Sequence, residues 1–315
     1  MSNHTGHGHP HDDGHQGLHH DRPAHGHHHG GHGGGEPDWD VMAPLLERNA
    51  ELSAGQYTEA ARWIAALPNA PEVRRVLDVG AGPGVVACLL AEVFPDAEIV
   101  AVDGTPALLE RTRARARRLG LADRVTTLHA TLPGQLPELG EADLIWAGNT
   151  LHHMGDQRAV LAGFGSLLRP GGTVALVEGG LQPRQLPRDL GFGRPGLEAR
   201  MEAAEAELFQ TMRAELPDAR REVEDWAALF GAAGLTPQGT RSFLLDLPAP
   251  LPDPAREQVV ADFTRRRDGL RDHLDAEDNA VLDRLLDPED PAGLHRRPDV
   301  FLLLARTLHL GRRVA

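Results

Sequence analysis

The chain has 315 residues, 41% of them apolar, enough to bury the core of one large domain or two smaller ones, and a single domain is the simpler expectation. A formal net charge of -14 repels phosphate backbones, so nucleic acid is excluded as a partner, and the absence of any lysine excludes Schiff-base chemistry and a Walker phosphate loop. One cysteine, Cys88, leaves no intramolecular disulfide and no cysteine-built metal site, and its place on an apolar helix reads as core filler.

Residues 1–37 form a His/Gly tail in which twelve of the eighteen histidines fall between His4 and His32. Such a segment has too little apolar surface to offset its chain entropy, so disorder is expected. Imidazoles at this density, with His27, His28 and His29 adjacent, suit a divalent Ni, Cu or Zn ion. Adventitious or buffering metal binding, a specific metal-linked role and a purification tag all stay open, although the irregular spacing argues against the tag. No stretch approaches the roughly 18 apolar residues of a membrane span, and the start lacks the apolar core of a secretory signal. No membrane partner and a cytoplasmic location are therefore expected.

Residues 38–72 read as a helical cap: two amphipathic helices between Trp39 and Leu67, broken near Ser53 to Gly55, with Trp39 and Tyr57 on faces where aromatic rings are usually core. Strands at 74–79, 97–103, 124–130, 142–149 and 172–178 then alternate with helices at 85–94, 106–119 and 157–168, the βαβ pattern of a parallel sheet. The arginines at 111, 113, 115, 117 and 118 wind around the second of these helices and read as a solvated face. Gly179 to Gly196, rich in Gly and Pro, reads as a long loop. Helices follow at 197–215 and 222–233, then strands at 242–247 and 299–307. Between that last pair, Asp253-Pro254 and Asp275 start two helices.

Chemistry concentrates in Val76-Leu77-Asp78-Val79-Gly80-Ala81-Gly82-Pro83-Gly84, where an apolar strand delivers an acid and three alternate glycines into one turn. Glycines there let a ligand lie against the backbone. A dinucleotide fingerprint reads G-x-G-x-x-G, whereas here the third glycine comes one residue early and Val85 fills the sixth position. Asp103 ends the neighbouring strand Ile99-Val100-Ala101-Val102-Asp103, followed by Gly104. An acid at that tip can accept hydrogen bonds from both hydroxyls of a ribose, and it can also cap the helix entered at Pro106.

With two later segments, Asp143-Leu144-Ile145-Trp146-Ala147-Gly148-Asn149-Thr150-Leu151-His152-His153 and Leu168-Arg169-Pro170-Gly171-Gly172-Thr173, this order of motifs resembles the class I S-adenosylmethionine (SAM) dependent methyltransferases, of bacterial small-molecule type, over residues 73–180. The resemblance implies an α/β, Rossmann-like seven-stranded sheet of order 3-2-1-4-5-7-6 with the helical cap, in a domain of residues 73–315 carrying helical insertions at 179–220 and 248–298. It implies SAM as cofactor, which has an ammonium and no phosphate and so suits an acid beside the turn. Asp78, Gly80, Ala81, Gly82 and Gly84 would approach its methionyl part, Asp103 and Gly104 its ribose, and Asn149 the region of the sulfonium. Thr131 and Leu132 fall beside the adenine, where the family often has an acid that this chain lacks.

The implied reaction is O- or N-methylation of a small-molecule acceptor by in-line displacement, in which positioning supplies much of the catalysis. His153, then His152, on the loop after the fourth strand, and Glu178 at the end of the fifth, are the candidate catalytic residues, able to take a proton from a hydroxyl or amine. The loop lacks the Asn-Pro-Pro-Tyr type sequence of enzymes acting on nucleobases or glutamine amides. Gly179 to Gly196, with Phe192, and the cap helices are expected to form the acceptor pocket, and the 248–298 insertion to serve as a further lid or as a homodimer surface. Two rival readings are a nicotinamide-dependent oxidoreductase, opposed by the glycine spacing and the final strand pair, and a non-catalytic SAM-binding protein that sequesters metal through its tail.

Overall fold

The computed structural model describes residues 38–67 and 72–314, so the tail and its metal-binding histidines His27, His28 and His29 lie outside the described residues. The cap is α1 (Trp39–Leu52) and α2 (Ala54–Ala65). The sheet domain follows as β1 (Arg75–Val79), α3 (Val85–Val93), β2 (Glu98–Asp103), α4 (Pro106–Arg118), β3 (Val125–His129), β4 (Ala142–Gly148), α5 (Gln157–Leu167) and β5 (Leu168–Arg184). Then come α6 (Leu197–Glu215), α7 (Trp226–Ala232), β6 (Thr236–Leu247), α8 (Asp253–Leu270), α9 (Ala276–Leu286) and β7 (Leu302–Arg312). Helix starts follow local chemistry: Asp156, Asp225 and Asp275 each accept an amide hydrogen from three residues on.

The strands form one sheet in the order β3-β2-β1-β4-β5-β7-β6, with β1 to β5 parallel and β7 antiparallel to both neighbours, as expected. Alternation along each strand sorts the apolar residues onto two faces. Val76, Ile99, Leu144, Trp146 and Ala175 pack against α2 and α3, while Leu77, Val100, Ile145 and Leu176 pack against α5 and α7. Tyr57 is part of the first core, edge-on to Trp146 with ring centroids 6.3 Å apart.

Three local expectations change. Gly179 to Arg184 is not loop but the continuation of β5, paired with β7 through Gly180 opposite Arg306 and Arg184 opposite Leu303. Its glycines mark register shifts in a strand, a role that composition alone does not separate from a loop. The remainder of that segment packs into a third core shared by α6, α8 and α9, and Phe192 lies under the guanidinium of Arg284, 4.1 Å from the ring centroid. Finally, Arg115 is not solvated. Its side chain is buried against α1, bonded to Glu47 at 2.6 Å and to Glu51, and so fastens the cap to α4.

Candidate cofactor and acceptor site

The glycine turn sits at the carboxyl end of β1 and is wired to its surroundings by side chains. Asp103 Oδ2 accepts the Gly82 amide at 2.9 Å and its Oδ1 accepts the Thr105 amide at 2.8 Å. Thr112 Oγ1 donates to the Gly82 carbonyl at 2.9 Å. Gly82 and Gly84 have φ of 54° and 77°, but for different needs. A Cβ on Gly84 would stand 2.5 Å from Thr112 Cγ2, whereas one on Gly82 would meet nothing within 4 Å. Gly84 is required by the protein's own packing. Gly82 opens onto free space.

Asp78 is 2% exposed beneath this turn, and its Oδ2 has no hydrogen-bond partner among the described residues. Burial first, then the neighbouring Asp103 carboxylate, push its pKa up to about 7 against the pull of the Ala87 amide. A cation placed beside it would reverse both effects. Gly80, Val102, Asp103, Gly104, Leu132 and His153 line a narrow cleft of about 40 Å³ next to the turn. Leu132 is buried in its wall, and the Thr131 amide is held by Gln135 Oε1 at 2.7 Å. A nucleoside is larger than this cleft, so its entry requires the wall side chains to part.

Beyond β4 the chain turns sharply. Asn149 takes φ of 50°, a left-handed conformation that Asn tolerates better than most residues, and its amide donates to the Val177 carbonyl at 2.9 Å. Glu178, buried at the end of the parallel part of β5, holds the next residues: Oε1 accepts the Thr150 and Leu151 amides at 3.0 and 2.8 Å. Its Oε2 lies 2.9 Å from His152 Nδ1. The His152 ring meets two others at a tilt: His153, at 4.1 Å between centroids, and Phe209 of α6, at 5.7 Å. Thus His153 lines the cleft beside the glycine turn, and His152 is the ring with a carboxylate to orient it.

The contribution of α6 has no signal in the sequence. Arg213 Nη1 donates to the carbonyls of His152 and Met154 at 2.8 and 2.5 Å, fixing the loop from the far side, and burial pulls its pKa down. An arginine near the end of an Ala/Glu-rich helix looks like any solvated residue. Only the fold brings it to the loop after β4.

A methyltransferase-domain family profile matches residues 77–174. A trans-aconitate 2-methyltransferase of Streptomyces coelicolor is 30% identical over 256 residues, covering 80% of this chain and 77% of that protein. The chain belongs to the class I SAM-dependent methyltransferases. A trans-aconitate 2-methyltransferase of Methylobacterium radiotolerans is 39% identical over 120 residues, 37% of this chain, and the match spans only 42% of that relative's length. Among solved structures, a Haloferax volcanii methyltransferase in complex with its activator aligns with a TM-score of 0.50 and 16% identity, over 88% of this chain and 96% of that one, a likeness of fold. Membership and sheet order together displace the nicotinamide-oxidoreductase reading. No helix among the described residues is long and apolar enough to cross a membrane.

Proposed function

We propose that this protein transfers a methyl group from SAM to a small-molecule acceptor, at oxygen or nitrogen. The observation that carries the reading is the buried Oδ2 of Asp78, without a hydrogen-bond partner among the described residues, beneath a turn in which a Cβ on Gly82 would meet nothing within 4 Å: a carboxylate that, once ionised, can pair with an ammonium. When bound, SAM supplies an activated methyl on a sulfonium. The residues that would hold it are Asp78, Gly80, Ala81 and Gly82 for the methionyl part, Asp103 and Gly104 for the ribose, Thr131 and Leu132 beside the base, and Asn149 near the sulfur.

The protein's own contribution is placement and proton handling. Asp103 keeps lone pairs on both oxygens after receiving the Gly82 and Thr105 amides, and can accept from ribose hydroxyls without releasing the turn. Glu178 holds the proton of His152 on Nδ1, which leaves Nε2 as the acceptor for a proton from a hydroxyl or amine. This makes His152 the base, Glu178 its positioning residue, and His153 a wall of the cofactor cleft. Relatives carrying the name trans-aconitate methyltransferase support an acidic small acceptor. Metal binding by the N-terminal histidines is proposed as separate from transfer.

Calorimetry on the full chain with SAM, its demethylated product and NAD tests the cofactor. Labelled-methyl transfer into a cell extract tests turnover. Binding of the first two and labelling of a small molecule are expected. Binding of NAD alone, or SAM binding with no transfer to any extract component, would overturn the proposal, the second outcome favouring the non-catalytic alternative.

A further inference from the structure

Above the carboxyl edge of the parallel strands, α1, the continuation of β5, α6, β6, α8 and β7 line a second cavity of about 170 Å³. Its wall carries Ser53 Oγ, Gln185 Oε1, Gln258 Oε1 and Arg306 Nε, none of which has a hydrogen-bond partner among the described residues. Ser53, Gln185 and Gln258 are 1%, 1% and 3% exposed. Buried polar atoms are normally paired, so four orphans around one space call for a guest. One water needs only about 15 Å³, and this cavity is far larger.

The chemistry of the guest follows from how the wall is satisfied. Asp262 takes an amide hydrogen of Gln258, whose Nε2 donates to its Oδ1 at 3.1 Å, and the Gln185 side chain interacts with the same carboxylate. The carbonyl oxygens of both have no partner among the described residues, and an amide oxygen can only accept. Of the four arginines in the wall, Arg184 pairs with Glu202, Arg266 with Glu205 at 2.7 Å and Arg265 with Asp262 at 3.7 Å. Arg306 has no ion-pair partner among the described residues. The wall residues therefore include one fork-shaped cation without an ion-pair partner among the described residues and two glutamine carbonyls without hydrogen-bond partners there.

The cavity also adjoins the reacting end of the site. Arg306 stands opposite Gly180, two residues beyond Glu178 on β5. Along α6, Glu205 in the cavity wall is one turn, about 6 Å, from Phe209 against His152.

Resting on the methyltransferase reading for the word acceptor, we infer that this cavity seats the methyl acceptor and selects a small carboxylic acid that carries hydroxyl or amino hydrogens. Its carboxylate lies on Arg306, and its hydrogens meet the carbonyls of Gln185 and Gln258. A planar guanidinium matches a carboxylate with two parallel hydrogen bonds, and a site built to receive O–H or N–H hydrogens discriminates against acids that lack them.

The test is calorimetric binding to the full chain saturated with S-adenosylhomocysteine, so that no turnover intervenes. Four probes are compared: L-malate, L-serine, trans-aconitate, and malamide as the uncharged counterpart of malate. Malate or serine should bind at least tenfold more tightly than malamide and than trans-aconitate. Arg306→Gln should erase the preference for acid over amide, and Gln258→Leu the preference over trans-aconitate, while affinity for S-adenosylhomocysteine holds. Should Arg306→Gln fail to fold, Arg306→Lys is expected to keep a weakened acid preference, and the wild-type comparison of malate with malamide decides by itself. Failure of every probe to bind would mean a water-filled cavity, and acid binding unaffected by Arg306 would mean another seat. Either result overturns the inference. If S-adenosylhomocysteine itself does not bind, the methyltransferase reading fails instead, and titrations without it still judge the cavity.

Discussion

Glu178 and His152 form a partly buried pair in which one carboxylate does two jobs. Oε2 meets His152 Nδ1 at 2.9 Å, while Oε1 receives the Thr150 and Leu151 amides. A glutamine can offer only one accepting atom to those partners. Glu178→Gln should therefore lower stability by about 1–3 kcal/mol, the cost of a buried group left unsatisfied, read as a shift of the urea midpoint. His152→Gln should leave SAM affinity intact and lower kcat on the order of a hundredfold, the low end of general-base catalysis. An unchanged kcat would remove His152 from the chemistry.

Asp78 gives the site its pH dependence. Its folded pKa of about 7 lies above the ordinary 3.8, so folding favours the protonated form. Its contribution to stability is fully present below pH 3.8 and is lost as pH rises to about 7. Binding of an ammonium needs the ionised form, so affinity for SAM should fall about tenfold per pH unit below 7. Calorimetry between pH 5 and 8, in buffers of differing ionisation enthalpy, should detect a proton released on binding below pH 7. A flat profile would place the ammonium elsewhere.

Asp103→Ala removes the proposed ribose acceptor and also the partner of the Gly82 and Thr105 amides. Affinity for SAM should drop at least tenfold, since hydrogen bonds to a charged group are worth about 1.5–3 kcal/mol each, and stability should fall by a further ~1 kcal/mol. Thermal unfolding without ligand separates the two effects. A destabilised protein with unchanged affinity would leave Asp103 a purely structural tie.

The last two glycines of the turn, Gly82 and Gly84, should respond differently to alanine. Both pay the left-handed penalty of about 1–2 kcal/mol, but the Gly84 methyl also strikes Thr112. Gly84→Ala should be the less stable variant, partly rescued by Thr112→Ala. Gly82→Ala should fold and lose cofactor, because its methyl occupies the open side of the turn. Equal SAM affinity in Gly82→Ala and wild type would mean that nothing lies against that glycine.

Much of the sheet was legible because each signal is local. The apolar runs at Val76, Ile99 and Leu144, and the turn at Gly80 to Gly84, announce strands and their exit without knowledge of the rest of the chain. The order β5-β7-β6 came through resemblance, since nothing in the two last strands says which neighbour they take. Long-range pairings stayed hidden. Arg115 looked like one of five surface arginines until α1 brought Glu47 and Glu51 to it, and Gly179-Gly180 looked like loop until β7 supplied a ladder. The cavity orphans were unreadable for the same reason. A glutamine such as Gln258 in a charged helix is an ordinary surface residue until five other elements close over it.

Helix α6 is tied at both ends to different parts of the site. Near its start, Glu198 accepts the Gln185 and Leu186 amides at 2.9 and 3.2 Å, and near its finish Arg213 grips the carbonyls of His152 and Met154. At 3.6 residues per turn, a single inserted residue would swing Arg213 about 100° around the axis and off the loop. Insertions and deletions between these two anchors should therefore be tolerated only near whole turns, so the spacing of 198 and 213 is a phase condition on any homologous chain that keeps both contacts.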